Sequence, residues 1–170
     1  MTDLLQKVEE LRSQLASLES ASQTFSVQSR LAEGVRTETK IRGFDLTVDE
    51  PKDLGGTDAG PNPVELVLAA LATCQEIVYS VYAARAGVEL ERVEVDAEGD
   101  LDPRGFLGVS EEVRPGFENV RYRVRIESPS EPEKVRELSR LVDEHCPVFD
   151  ILTRPVEVSG AVELNGSPLA

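Results

Sequence analysis

The sequence has few of the residues that build metal sites and disulfide frameworks, with two cysteines and one histidine among 170 residues. A structural zinc site usually takes four Cys or His ligands, which these residues cannot supply. There is no HExxH or DxDxDG motif either, so we expect no metal and no cofactor. A small secreted domain held by disulfides would contain more cysteine. The chemistry therefore depends on whether Cys74 and Cys146 are inert or form a redox pair.

Positive charge is also scarce, because 18 Lys and Arg stand against 32 Asp and Glu, for a formal net charge of −14. Nucleic acids and anionic membranes bind basic patches, so this balance argues against both as partners. No stretch approaches about 18 uninterrupted apolar residues, and the charged N-terminus lacks the apolar core of a secretory signal. We therefore expect a cytoplasmic protein. The length and the apolar fraction of 40% predict one folded domain with a hydrophobic core.

A narrow apolar seam marks the N-terminal segment, where residues 3–21 are predicted to form a helix. Its apolar positions are spaced four and three residues apart, as in a heptad repeat: Leu4, Val8, Leu11, Leu15 and Leu18. So narrow a face needs a partner, which is either its own domain or a second subunit. The serine-rich run that follows indicates a hinge. We therefore divide the chain into an N-terminal extension, 1–24, and a domain, 25–170.

Alternating apolar and polar residues predict the strands. The first two form a hairpin between Val35 and Val48 that turns at Arg42-Gly43. Two more strands are expected near 93–97 and 120–126, with an irregular excursion between them whose length indicates a functional or interface role. A last strand is predicted over 156–164. Antiparallel pairs with helices between them indicate an α+β fold.

A long apolar helix is predicted at the centre of this fold. Asn62 and Glu65 have the spacing of a capping box around Pro63, and Gly87 is placed to end the helix. Because the helix is apolar nearly all round, we expect it to be buried on most sides. A second, amphipathic helix is predicted over 130–144.

The two cysteines lie in different settings. Cys74 is inside the long apolar helix, where a cysteine is usually a small buried hydrophobic residue and where burial raises the thiol pKa. Cys146 precedes Pro147 at the predicted N-cap of a short helix that runs to about Leu152, where the helix dipole favours a thiolate. His145 beside it is a candidate base, and an exposed or hydrogen-bonded histidine is the simpler interpretation.

Together these segments resemble the OsmC/Ohr family of thiol-dependent peroxidases. The segment VDEPKDLGGTDAGPNPVELVLAALATC is followed by HCPVFDIL in the order of that family, and the resemblance covers about 33–164. It implies an OsmC-like α+β fold, with antiparallel sheets around a long central helix, and an intertwined homodimer. It also implies that Cys74 is the peroxidatic thiol, that Cys146 is the resolving thiol, and that a dithiol of the lipoyl type is the reductant.

The sequence departs from the family at the Arg–Glu pair that activates the peroxidatic thiolate. Val64 stands where the hydroperoxide reductases have the glutamate. Glu65 is one residue later, and at about 100° per residue it points away from Cys74, which leaves it a capping role. The best alignment for the arginine is Arg36, with Arg42 at the hairpin turn as the second choice.

Two functions follow from these observations. In the first, the Cys74 thiolate attacks the O–O bond of an organic hydroperoxide, and Cys146 resolves the resulting sulfenic acid as a disulfide. The apolar helix would form a pocket wall that favours organic over hydrogen peroxide. In the second, the chain is a non-catalytic OsmC-like dimer that binds a small apolar ligand, an alternative that Val64 favours. The peroxidase is the preferred hypothesis.

Overall fold

The computed structural model describes residues 2–169, which form helices and three antiparallel sheets ordered β1-β2-β3, β4-β5 and β6-β7. The elements in chain order are α1 (Thr2–Ala16), β1 (Gln28–Glu33), β2 (Arg36–Ile41), β3 (Phe44–Val48), α2 (Pro63–Ala86), β4 (Arg92–Asp100), α3 (Pro103–Phe106), β5 (Asn119–Glu127), α4 (Pro132–His145), α5 (Pro147–Thr153), β6 (Val162–Leu164) and β7 (Ser167–Leu169). The α+β class expected from the sequence is confirmed.

The N-terminal sheet contains the predicted hairpin and one strand that the sequence analysis missed. Strands β2 and β3 pair with Ile41 opposite Phe44, so the turn is Arg42-Gly43 as expected. Strand β1 pairs with β2, although all six of its side chains are exposed. Backbone pairing with β2, and not burial of one face, holds β1 in place. Its sequence, QSRLAE, therefore needs no alternation of apolar and polar residues, so its pattern did not predict a strand.

A buried carboxylate organises the loop between β3 and α2. Asp49 is 1% exposed and accepts hydrogen bonds from the Thr57 hydroxyl at 2.6 Å and from the backbone amides of Thr57, Ala59 and Glu50 at 2.9–3.2 Å. The hydrogen bond from the Thr57 side chain is the largest of the interactions that lower the pKa of Asp49 to about 2. A Cβ at Gly60 would lie 2.2 Å from the Thr47 carbonyl oxygen, so only glycine allows this close return of the loop.

Asp49→Asn should therefore lower the melting temperature at neutral pH. The pKa of Asp49 is lower in the folded chain than the ordinary value of about 3.9, so its stabilising effect is present above pH about 4. It is lost as the pH falls towards about 2. Thermal unfolding at pH 7 and pH 3 should show a smaller drop in melting temperature for Asp49→Asn than for the wild type. Asp53→Asn, an exposed change in the same loop, is the control, and equal drops in all three proteins would contradict the assignment.

The ends of α2 match the predicted caps. The Asn62 side chain accepts from the Glu65 amide at 2.9 Å, and the Glu65 carboxylate accepts from the Asn62 amide at 2.8 Å. Gly87 ends the helix with a φ of +65° and donates its N–H to the Ala83 carbonyl. Glu65 therefore has the capping role that its helical phase indicated.

One face of α2 forms the core with β4, α4 and α5. The buried cluster at its centre consists of Val78, Tyr79, Ala83, Val88, Leu138, Val142 and Cys146. The opposite face is uncovered within one chain, where Ile77 is 63% exposed and Val67 is 37% exposed. By length and composition alone α2 could also cross a membrane. Its packing against β4 and α4 explains the apolar residues on one face, but the burial on most sides that the sequence predicts is not reached within one chain.

The two ends of the chain differ from the expected pattern. Helix α1 ends at Ala16 rather than at residue 21, and only the first half of its seam is partly buried, since Leu11 and Leu15 are exposed. The single strand predicted over 156–164 is wrong, because β6 and β7 form a short hairpin while 154–161 has no strand partner. The division between 1–24 and 25–170 stays a prediction.

Candidate functional site

Cys74 and Cys146 meet in the core, although they are far apart in the sequence. Cys146 is 1% exposed and belongs to the buried cluster, while Cys74 is partly buried and packs against the same cluster. Both are free thiols that share this cluster. Within residues 2–169, the His, Cys, Asp and Glu side chains form no group of three or more that could hold a metal ion. The fold therefore brings both thiols to one cluster.

Cys146 occupies the predicted N-cap of α5, but its thiol is not acidic. Burial is the largest influence on this group and raises its pKa. The backbone amides of Phe149 and Val148 act in the opposite direction, as the dipole of α5 predicts, and burial outweighs them. The expectation of a thiolate at Cys146 is corrected because the sequence showed the helix start and not the depth of burial.

A polar network borders the thiol pair. The Tyr122 hydroxyl donates to Asp143 Oδ1 at 2.6 Å, and Gln75 Nε2 donates to the same oxygen at 3.4 Å. Burial and the Asp143 carboxylate raise the pKa of Tyr122. Gln75 is completely buried, and its Oε1 has no hydrogen-bond partner among the described residues. In the sequence Gln75 was only an interruption of the apolar helix, so nothing pointed to this role.

A cavity of about 410 Å³ lies beside this network. Apolar side chains form much of its wall: Leu71, Phe117, Val120, Phe149 and Leu152. Neither cysteine lines the cavity directly. Leu71 lies one helical turn before Cys74 on α2, and Phe149 packs against the cluster that contains Cys146. An apolar ligand in the cavity would therefore lie next to the side chains that surround the thiols.

The arginines aligned from the sequence lie elsewhere in the single chain. Arg36 on β2 forms ion pairs with Glu33 at 3.4 Å and Glu38 at 3.8 Å, while its Nε is buried without a hydrogen-bond partner. Arg42 lies over the Phe44 ring at the hairpin turn, 5.2 Å from the ring centroid. Within one chain, the described contacts bring neither guanidinium to Cys74.

Arg114 is a cation at the cavity that the sequence analysis did not consider. It lies in the excursion between β4 and β5 and lines the cavity beside Phe117 and Glu118. Within residues 2–169, no carboxylate oxygen lies within ion-pair distance of Arg114, although the chain has an excess of acids. The length of the excursion was the signal for a functional segment, but it did not indicate which residue matters.

The fold agrees with what comparison with known proteins finds. A sequence model of the family described as OsmC-like protein matches residues 56–159, which is more than half of the chain. The chain belongs to the OsmC-like family. An uncharacterized protein of Haloferax volcanii is 26% identical over 121 residues, which cover 71% of this chain and 80% of that protein.

Two solved structures show the same architecture as this OsmC-like chain. The OsmC-like protein from Mycoplasma pneumoniae gives a TM-score of 0.68 at 19% identity, covering 78% of this chain and 89% of that one. A Legionella pneumophila structure described as an organic hydroperoxide resistance protein OsmC gives 0.57 at 22% identity, covering 78% and 91%. At these identities the structures establish the fold, so the predicted OsmC-like architecture is confirmed.

Proposed function

We propose that this OsmC-like protein reduces organic hydroperoxides, with Cys74 as the peroxidatic thiol and Cys146 as the resolving thiol. The observation that supports this function most is that both thiols share one buried cluster next to an apolar cavity. The Legionella structure with the same fold is described as a hydroperoxide resistance protein. A peroxide-related redox role at the level of the family is therefore consistent with the geometry.

The reaction balances with the two thiols and an external dithiol. The Cys74 thiolate attacks the terminal oxygen of ROOH, the O–O bond breaks, and the alkoxide takes a proton and leaves as ROH. Cys146 then attacks the sulfenic sulfur of Cys74, forming a disulfide and releasing water. Exchange with the dithiol returns both thiols and oxidises the dithiol. The lipoyl type of reductant and the cytoplasmic location stay predictions.

The burial of the two thiols supports this division of roles. Cys146 is 1% exposed and has a raised pKa, so it is a poor first nucleophile for a substrate that enters from solvent. Cys74 is less deeply buried and is adjacent to it. Once Cys74 is oxidised, its sulfur presents a reactive electrophile inside the same cluster, where Cys146 needs no solvent access.

We also propose the intertwined homodimer that the resemblance implies. The uncovered face of α2 exposes Ile77, and much of the N-terminal sheet and all of β6 and β7 are exposed within one chain. Soluble monomers avoid apolar surfaces of this kind. A second copy that covers α2 and packs against these sheets would give them the partners that one chain lacks.

Arg36 keeps its proposed role as the cation that activates Cys74, reached across the dimer by the N-terminal sheet. Its buried Nε makes no hydrogen bond within the described residues and lies 3.8 Å from Glu38 Oε1, so this long ion pair leaves the N–H able to donate to a thiolate instead. We assign Arg114 to a different step, which is to hold the hydroperoxide at the cavity. A cation beside the thiol should change thiol reactivity itself, whereas a cation at the cavity should change only the reaction with substrate.

Alkylation of Cys74 by iodoacetamide separates these two roles. Arg36→Gln should slow both alkylation and peroxide consumption by about tenfold, because the thiolate loses its cation. Arg114→Gln should slow peroxide consumption to a similar extent and leave alkylation unchanged. Arg30→Gln, an exposed change on the neighbouring strand β1, is the control for both assays. Alkylation of Arg36→Gln at the wild-type rate would exclude Arg36 as the activating group.

A non-catalytic binding protein is the second candidate, and the observation that favours it is Val64 at the family's glutamate position. The two functions differ in one assay. The wild-type protein with tert-butyl hydroperoxide and dithiothreitol should consume peroxide over many turnovers if it is an enzyme. Binding of an apolar ligand without peroxide consumption would establish the alternative.

A further inference from the structure

A second cavity of about 410 Å³ lies between α1, the end of α2 and the end of α4. Its wall combines cationic, aromatic and aliphatic side chains: Arg12, Tyr82, Arg85, Ala86, Leu141 and His145. Within residues 2–169 no Asp or Glu lines it, although the chain has a formal net charge of −14. A positively charged cavity on so acidic a protein is the feature that needs explanation.

One carboxylate holds the two arginines together. Glu9 on α1 accepts from Arg12 Nη1 at 3.0–3.1 Å and from Arg85 Nε at 3.1 Å. The hydrogen bond from Arg12 is the largest influence that lowers the pKa of Glu9, so the carboxylate stays ionised at neutral pH. Two guanidinium groups and one carboxylate leave one net positive charge.

The Tyr82 ring orders the other two polar groups. The Arg85 guanidinium carbon lies 5.1 Å from the ring centroid, and the His145 ring lies at 4.8 Å. His145 Nδ1 donates to the Leu141 carbonyl at 2.9 Å, which fixes the ring at the cavity wall, where its resonances report on a nearby anion. The side-chain hydrogen bond of Arg85 within residues 2–169 uses Nε, which leaves its two Nη groups.

We propose that this cavity binds a small organic anion with a carboxylate or phosphate group next to an apolar or ring-shaped body. The free edge of the Arg85 guanidinium matches the paired oxygens of either group. Tyr82, Ala86 and Leu141 offer an apolar wall for the rest of the molecule. The volume lies within the range of about 300–1,000 Å³ that is usual for small-molecule sites.

The position of the site makes it depend on the N-terminal extension. Arg12 and Glu9 belong to α1, which precedes the residues matched by the family model. Tyr82 lies about 12 Å along α2 from Cys74, at 1.5 Å per residue, and His145 directly precedes Cys146. A bound anion would thus contact both helices that lead to the thiols. Binding of the anion at this site does not require that the thiols consume peroxide, so the two proposals are tested separately.

NMR of the single histidine tests the site directly. His145 is the only histidine in the sequence, so its ring proton resonance needs no assignment. We expect titration with inorganic phosphate or with sodium benzoate, at constant pH and ionic strength, to move this resonance in a saturable manner. Sodium chloride should not move it. If only one probe gives a saturable shift, the site prefers the anionic group of that probe, phosphate or carboxylate. If both probes do, the site accepts either group.

Charge-removing variants locate the binding. Arg85→Gln should weaken the binding of the active probe about tenfold or more. Arg12→Gln should do the same and keeps the Glu9–Arg85 ion pair that holds α1 against α2. Lys7→Gln, which removes an exposed charge from the same helix, is the control. A linear shift with both probes, or saturable binding that is equal in the wild type and both arginine variants, would overturn the proposal.

Discussion

Cys74→Ser is expected to abolish consumption of organic hydroperoxide. A serine hydroxyl is not deprotonated at neutral pH and cannot form the S–O bond that replaces the O–O bond. Cys146 remains in this variant, but its burial and raised pKa leave it a poor nucleophile. Peroxide consumption with tert-butyl hydroperoxide and dithiothreitol should fall to the rate without protein.

Cys146→Ser is the matched variant, because it removes the other thiol and leaves Cys74 in place. Without added dithiol it should consume about one equivalent of peroxide and then stop as a sulfenic or more oxidised acid, since no other thiol is present to resolve it. Mass spectrometry should detect added oxygen on Cys74. Consumption of peroxide at the wild-type rate by both variants would contradict the proposed reaction.

The wild-type protein should form an intramolecular disulfide after one equivalent of hydroperoxide. Peptide mapping should find Cys74 linked to Cys146 and a loss of two hydrogens. On the chain-entropy account, a crosslink across this loop stabilises the oxidised form by about 4 kcal/mol when it is unstrained. Urea unfolding of the oxidised and reduced forms measures that difference, and absence of the linkage would favour the binding protein.

Ile77→Glu is expected to convert a dimer into a monomer. Ile77 lies on the uncovered face of α2, and in a twofold interface its substitution places two carboxylates in an apolar contact. A cost of about 4 kcal/mol or more for the pair corresponds to an increase in the dimer Kd of about a thousandfold. Sedimentation at micromolar concentration should give about twice 18.6 kDa for the wild type and 18.6 kDa for the variant.

Phe106→Glu is the control for this change, because Phe106 is equally exposed, at 63%, but belongs to α3 and not to α2. It should leave the dimer intact. If Ile77→Glu fails to fold, sedimentation of the wild type alone tests the homodimer. A single chain leaves one face of α2 uncovered, so the wild type is expected to sediment as a dimer. A wild type that sediments as a clean monomer would exclude the homodimer.

Local features of the chain could be predicted from the sequence because they depend on neighbouring residues. The capping box at Asn62 and Glu65, the left-handed Gly87 and the Arg42-Gly43 turn depend on interactions within about five residues. The α+β class followed from the order of the strand and helix patterns. The resemblance around the cysteines identified the family, since the order of its motifs is preserved.

Contacts between distant segments were decided only by the tertiary structure. The spacing around Cys146 predicted a helix start, but burial by the surrounding cluster determines the direction of its pKa. Gln75 and Asp143 meet through packing of α2 against α4, and Arg114 lines the cavity through the path of an irregular segment. Strand β1 depends on pairing with β2 and has no pattern of its own. Periodicity records which face of an element is buried, whereas the partner that buries it is set by the packing of the whole chain.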